Sequence, residues 1–123
     1  MAEKKKIFLV EDDGFMIKIL ADKIRRSGFE VETADDGEKG LKKLETYKPD
    51  LILLDLIMPR IDGYEMLHRL KESQWKDIPV IALSNLGQKE EIDHAMELGA
   101  KGFMVKANFT TSEIIEKINS ILQ

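Results

Sequence analysis

The chain has 123 residues and no cysteine, which excludes disulfides, thiolate zinc sites and cysteine nucleophiles together. Histidine is nearly missing too. His68 and His94 each fall mid-helix in the pattern with no second ligand spaced to match, so they read as surface or partly buried side chains and not as metal ligands. Long apolar runs are lacking. Met1-Ala2-Glu3-Lys4-Lys5-Lys6 leads into a very short one, which is neither a signal peptide nor a spanning helix, so no membrane is expected and the cytoplasm is the default. Excess cation is lacking as well: 19 basic residues against 23 acidic ones leave a net charge of -4, which argues against a nucleic-acid duplex as a direct partner, because phosphate binding is driven by clustered cation. No repeat, linker or low-complexity tract interrupts the sequence, and this length makes residues 1–123 one domain able to bury a core without staples.

What is present is organised around Pro49-Asp50-Leu51-Ile52-Leu53-Leu54-Asp55-Leu56-Ile57-Met58-Pro59-Arg60-Ile61-Asp62-Gly63. Leu51 to Leu54 form an apolar run too short for a helix and without polar alternation, the mark of a central strand covered on both faces. It ends at Asp55, and in open α/β sheets the carboxyl ends of the strands are where ligands bind. Pro59 and the Asp62-Gly63 turn stiffen the loop beyond.

In chain order, Lys6-Ile7-Phe8-Leu9-Val10 predicts a buried strand that ends in Glu11-Asp12-Asp13. After Gly14, the residues Met16, Ile19, Leu20 and Ile24 recur at helical spacing up to Ser27-Gly28, where glycine supplies a left-handed stop. Phe29 to Ala34 alternates like an edge strand, and Asp36-Gly37 turns the chain into a helix marked by Leu41 and Leu44 that stops before Pro49. Met66, Leu67 and Leu70 mark a third helix over Tyr64–Lys71. Pro79 to Leu83 is another apolar strand, ending at Ser84-Asn85, and Gln88 to Leu98 a helix closed by Gly99. Gly102-Phe103-Met104-Val105 is a short last strand running into Lys106. Thr110 and Glu113 form a Thr-x-x-Glu capping box before a helix faced by Ile114, Ile115, Ile118, Ile121 and Leu122. Five β-α pairs in strict alternation fold as a parallel sheet with helices on both sides.

Laid side by side, the strand ends bring Glu11, Asp12, Asp55, Ser84 and Lys106 to one rim. Each alone is more often a helix cap, a turn acid or a solvated lysine, but accident is a poor account of matching polar groups at several strand ends. Three carboxylates about 5 Å apart repel by roughly 3 kcal/mol per pair at an effective dielectric near 20, so protonation or a bound cation must relieve them. Hard oxygen ligands select Mg²⁺. With a lysine and a hydroxyl beside them they suit a phosphoryl group, with Asp55 as nucleophile. Asp13 reads as a loop acid and Asp62 as half of a turn; Lys4 to Lys6 reads as a solvated gatekeeper run.

The blocks Phe8–Asp13, Leu53–Gly63, Pro79–Ser84 and Gly99–Lys106 resemble the receiver domain of two-component response regulators, of the chemotaxis-type, single-domain kind, over almost the whole chain. The resemblance implies a flavodoxin-like doubly wound (βα)5 fold with strand order 2-1-3-4-5. It implies that Asp55 accepts phosphate from a histidine kinase or histidine phosphotransfer protein, and that Glu11, Asp12, Asp55 and the backbone carbonyl of Ile57 form the Mg²⁺ site. It makes Ser84 the switch hydroxyl, Lys106 the partner of the phosphoryl group and Phe103 the switch aromatic. The fourth helix, last strand and fifth helix would then form the surface for an unknown downstream protein, and they allow a phosphorylation-dependent homodimer. The role is signalling and not metabolic turnover, whether the chain stands alone or is cut from a longer protein.

Three places depart from the family. Ala107 follows Lys106 where the family carries a proline in a cis peptide, and Asn85 is larger than the residue usual beside the switch hydroxyl. Ile57 and Leu86 are apolar where members that dephosphorylate quickly place polar groups, which implies slow loss of phosphate. A Mg²⁺-dependent aspartyl phosphatase is an alternative, although such enzymes want a second acid where Ile57 stands. A flavin domain needs a phosphate loop where Glu11-Asp12-Asp13 would repel it. A pseudo-receiver, with the fold kept and phosphorylation lost, is left open by Asn85 and Ala107.

Overall fold

The computed structural model describes residues 4–85, 87–106 and 110–123; Leu86 and Ala107, two of the departures above, lie outside them. Each apolar run becomes a strand and each periodic stretch a helix: β1 (Lys6–Val10), α1 (Gly14–Arg26), β2 (Glu30–Ala34), α2 (Gly37–Lys43), β3 (Leu51–Asp55), α3 (Gly63–Lys71), β4 (Val80–Ser84), α4 (Lys89–Glu97), β5 (Gly102–Val105) and α5 (Thr111–Leu122). All pairings are parallel and the order is β2-β1-β3-β4-β5, the flavodoxin-like topology expected. Among the described residues no helix is long and apolar enough to cross a membrane.

Strand periodicity sorts the core into two layers. On one face Ile7, Leu9, Leu51, Leu53, Ile81 and Leu83 pack against Leu20 and Ile24 of α1 and Ile114 and Ile118 of α5. On the other, Phe8, Val10, Ile52, Leu54, Val80 and Ala82 meet Met66, Leu67 and Leu70 of α3 and Ala95 of α4. Leu51 to Leu54 are 0% exposed because both faces of β3 are covered, which is why the run shows no alternation. Burying one such leucine contributes about 2 kcal/mol.

The helix ends carry several differences from the sequence reading. Asp13, Asp36 and Asp62 are N-caps of α1, α2 and α3, because an Asp carboxylate preceding a helix satisfies an amide left unpaired at its first turn. Helix α2 ends at Lys43, before Pro49 as expected, whereas Ile19 is 39% exposed; Ile17 packs toward the core in its place. The capping box of α5 is formed as expected, with Glu113 N–H donating to Thr110 Oγ1 at 3.2 Å and Thr110 N–H donating to Glu113 Oε1 at 3.1 Å. Gly28 and Gly99 close α1 and α4 at φ 97° and 104°, values that favour glycine.

Gly63 matters most for the site. Its N–H donates to the Leu56 carbonyl at 2.9 Å, and a β-carbon there would meet the Asp55 carbonyl oxygen and lie 2.5 Å from Leu56 Cα. The first turn of α3 thus rests on the backbone that presents Asp55. Gly63→Ala gains helix propensity of up to ~1 kcal/mol but must shift that backbone, so a net loss of about 2 kcal/mol is expected. Chemical denaturation measures it; an unchanged or raised midpoint contradicts this packing.

Candidate functional site at the carboxyl edge of the sheet

The register assembles the site. Val10 pairs with Leu54, so Glu11 emerges beside Asp55; Asp55 pairs with Leu83, so Ser84 is one step beyond; Ser84 pairs with Val105, and Lys106 follows. At this point the strand order reverses, since β1 leads outward to β2 while β3 leads the other way to β4. The loops after β1 and β3 therefore diverge and leave a crevice between them.

Glu11, Asp12 and Asp55 each offer a carboxylate oxygen, all within 4.8 Å of one another. Glu11 and Asp55 are buried and Asp12 is exposed. Lys106 bridges the two buried acids: its Nζ donates to Glu11 at 2.7 and 2.9 Å and lies 3.2 Å from Asp55 Oδ1. The Ile57 N–H donates to the same Asp55 oxygen at 3.3 Å. Ser84 is fully buried at the end of β4, while Asn85 beside it is exposed. Phe103, on β5, is half-buried against the core layer of α3 and α4. The Ile57 side chain is 57% exposed. The histidines stand apart from this edge, with His68 paired to Glu72 at 2.9 Å and His94 stacked on Tyr64 at 4.6 Å.

Burial and charge crowding both act on the ionisation of the site. The Asp55 carboxyl is pushed up from 3.8 to about 7, first by burial and then by the Glu11 charge, with Lys106 and the Ile57 N–H pulling it down less strongly. For Lys106 burial opposes the charge, but Glu11 and Asp55 outweigh it and raise its pKa. One ammonium thus faces three carboxylates and leaves the site short of positive charge. The unmet demand is for a hard cation, and an all-oxygen donor set fits Mg²⁺.

A family model described as "Response regulator receiver domain" matches residues 7–119. The chain belongs to the response regulator receiver family. This receiver is 39% identical over 121 residues to the alkaline phosphatase synthesis transcriptional regulatory protein PhoP of Bacillus subtilis, covering 97% of this chain and 49% of that protein. It is 38% identical to the probable transcriptional regulator ycf27 of Cyanophora paradoxa, covering 98% and 49% of the two chains. The receiver therefore spans about half the length of the curated relatives it matches. Among solved structures, it resembles the chemotaxis protein CheY4 of Vibrio cholerae with a TM-score of 0.91 and 27% identity, covering 98% and 100% of the chains. It also resembles the phosphorylated cyanobacterial phytochrome response regulator RcpA with a TM-score of 0.82 and 32% identity, covering 97% and 91%.

Sequence reasoning located Glu11, Asp12, Asp55, Ser84 and Lys106 at this edge of the sheet, and the register puts each of them there. It missed the direct Lys106–Glu11 pairing and the pairing of Arg60 Nη1 with Asp36 Oδ2 at 2.8 Å. The signal for Asp36 was its place two residues after an edge strand and directly before a helix, which a turn assignment used up.

The raised Asp55 value has a definite consequence for stability. A carboxyl that holds its proton more tightly folded than unfolded contributes stability that is fully present below about pH 4 and is lost as pH rises through about 7. In metal-free buffer Asp55→Asn should therefore be more stable than the parent above pH ~7, by at most about 4 kcal/mol, with the gap closing toward pH ~4. Urea denaturation in a chelator across that range checks it. A variant no more stable than the parent at the upper end contradicts the crowding.

Proposed function

We propose that residues 1–123 form a single receiver domain in which Asp55 takes a phosphoryl group from a histidine kinase or histidine phosphotransfer protein and thereby changes a protein-interaction surface. The observation that carries this reading is the meeting of Glu11, Asp12, Asp55 and Lys106, whose carboxylate oxygens lie within 4.8 Å of one another beside a lysine that bridges two of them. Ionised Asp55 attacks phosphorus, the P–N bond of the donor phosphohistidine breaks, and the imidazole leaves with its electron pair and takes up a proton. The product is an acyl phosphate on Asp55.

Lys106 lies within reach of Asp55, and we assign it to the phosphoryl oxygens, a move that requires it to loosen from Glu11. We assign Ser84 as the hydroxyl donor from the neighbouring strand. Glu11, Asp12, Asp55 and the backbone carbonyl of Ile57 are the groups we assign to hold Mg²⁺. When bound, the ion keeps Asp55 ionised and neutralises charge on the transferring group. Phe103 is half-buried between core and surface on β5, which suits a side chain that follows Ser84 inward and remodels the α4–β5–α5 face for a partner or a second copy. The cytoplasm is the fitting compartment for such a switch.

The likeness to the chemotaxis protein CheY4 of Vibrio cholerae supports a chemotaxis-type reading. The half-length match to proteins described as transcriptional regulators favours a second one, in which this receiver governs transcription. In either case the receiver itself carries a net charge of -4 and is not the part suited to duplex DNA.

Incubation with acetyl phosphate and Mg²⁺ should add one phosphoryl group by intact mass, and Asp55→Asn should abolish the addition. Undiminished labelling of that variant overturns the assignment. The exposed apolar side chain of Ile57 offers no group to orient an attacking water, so the phosphorylated form should persist for minutes or longer in Mg²⁺ buffer; decay within seconds contradicts this.

A further inference from the structure

Arg60, in the β3–α3 loop, has φ 64°, a left-handed conformation that crowds a β-carbon and has to be held by its surroundings. Asp36 holds it. Its carboxylate is buried and divides its oxygens between two tasks. Oδ1 accepts the Lys39 N–H at 2.7 Å and caps α2, while Oδ2 accepts Arg60 Nη1 at 2.8 Å. Backbones meet here as well, because a β-carbon on Gly37 would lie 2.6 Å from the Ile61 carbonyl oxygen. The first turn of α2 is therefore interlocked with the loop through an ion pair and a close main-chain contact.

The same loop begins at the site. Ile57 N–H donates to Asp55 Oδ1 at 3.3 Å, and the Glu11 N–H donates to the Ala34 carbonyl at 3.0 Å, two residues before Asp36. The end of β2 is thus tied both to the acid-bearing end of β1 and, through Asp36, to the loop that contacts Asp55. Since the Arg60 side chain is 65% exposed and that of Asp36 4%, the buried carboxylate is the anchor and the guanidinium is the part that is captured.

We propose that Asp36 and Arg60 are positioning residues for the acidic site: their ion pair, with the Gly37–Ile61 contact beside it, fixes the β3–α3 loop so that the Ile57 amide stays against Asp55. The effect on phosphorylation rests on the function proposed above; the effect on the loop does not.

Two single variants separate this from capping and from backbone strain. Asp36→Ser keeps a helix-capping oxygen but is too short to reach Arg60, and Arg60→Gly removes the guanidinium while relieving the left-handed φ. Each should speed hydrogen exchange at the Ile57 and Ile61 amides by ~10-fold, with the central sheet unchanged and the double variant no faster than either single. Labelling of Asp55 by acetyl phosphate should slow roughly five-fold in both, and Arg60→Lys should restore part of it. Loop exchange equal to the parent's, exchange raised uniformly across the sheet, or additive effects in the double variant would each overturn the proposal. Faster loop exchange with unchanged labelling would remove the positioning role and leave the Asp55 assignment standing. A parent protein that takes no label while the variants loosen the loop would remove that assignment and leave the clamp.

Discussion

A single ammonium group stands against three carboxylates at the carboxyl edge of the sheet. Lys106 reaches both oxygens of Glu11 and one of Asp55, and even so the Asp55 carboxyl is pushed up to about 7 by burial and by Glu11. An arrangement so short of positive charge costs stability in the resting protein. The same shortage makes the pocket receptive to a divalent cation, and in the proposed reaction Lys106 exchanges Glu11 for phosphoryl oxygens. Destabilisation and chemistry have one electrostatic origin.

The rest of the fold keeps those charges from moving apart. Parallel register fixes how far each strand projects, so that Glu11 and Asp55 end level, Ser84 lies one step beyond them and Lys106 one step further, all at the same edge of the sheet. Covering both faces of β3 leaves no freedom to slip, because a shift of one residue would exchange the side chains of the two core layers. Gly63 lets α3 sit directly on the Asp55–Leu56 backbone. On the opposite flank Asp36 grips the loop from α2.

Much of this was legible in the residues. The apolar runs at Ile7–Val10, Leu51–Leu54 and Val80–Leu83 read as strands because side-chain hydrophobicity reports burial on both faces. Helices α1, α3, α4 and α5 read from three- and four-residue spacing and from the Thr110–Glu113 box. Short-range signals at helix starts were harder. Asp13, Asp36 and Asp62 all precede glycine or sit beside one, and Asp-Gly serves equally as a turn or as a cap with the first helical residue. Ile19 fits the helical period yet stays exposed, since which flank of an apolar stripe is covered depends on the neighbouring helix and not on the stripe.

By itself the order of residues determined the alternation of strands and helices, the parallel sheet that alternation requires, and which polar groups end the strands. Those are local or periodic properties, and a single chain carries them in full. Tertiary structure alone decided that Lys106 prefers Glu11 to Asp55, that Arg60, in a left-handed conformation, pairs with a buried aspartate 24 residues earlier, and how strongly Asp55 resists ionisation. Each depends on distances and dielectric surroundings between segments far apart in the chain, quantities that exist only once the sheet has brought them together.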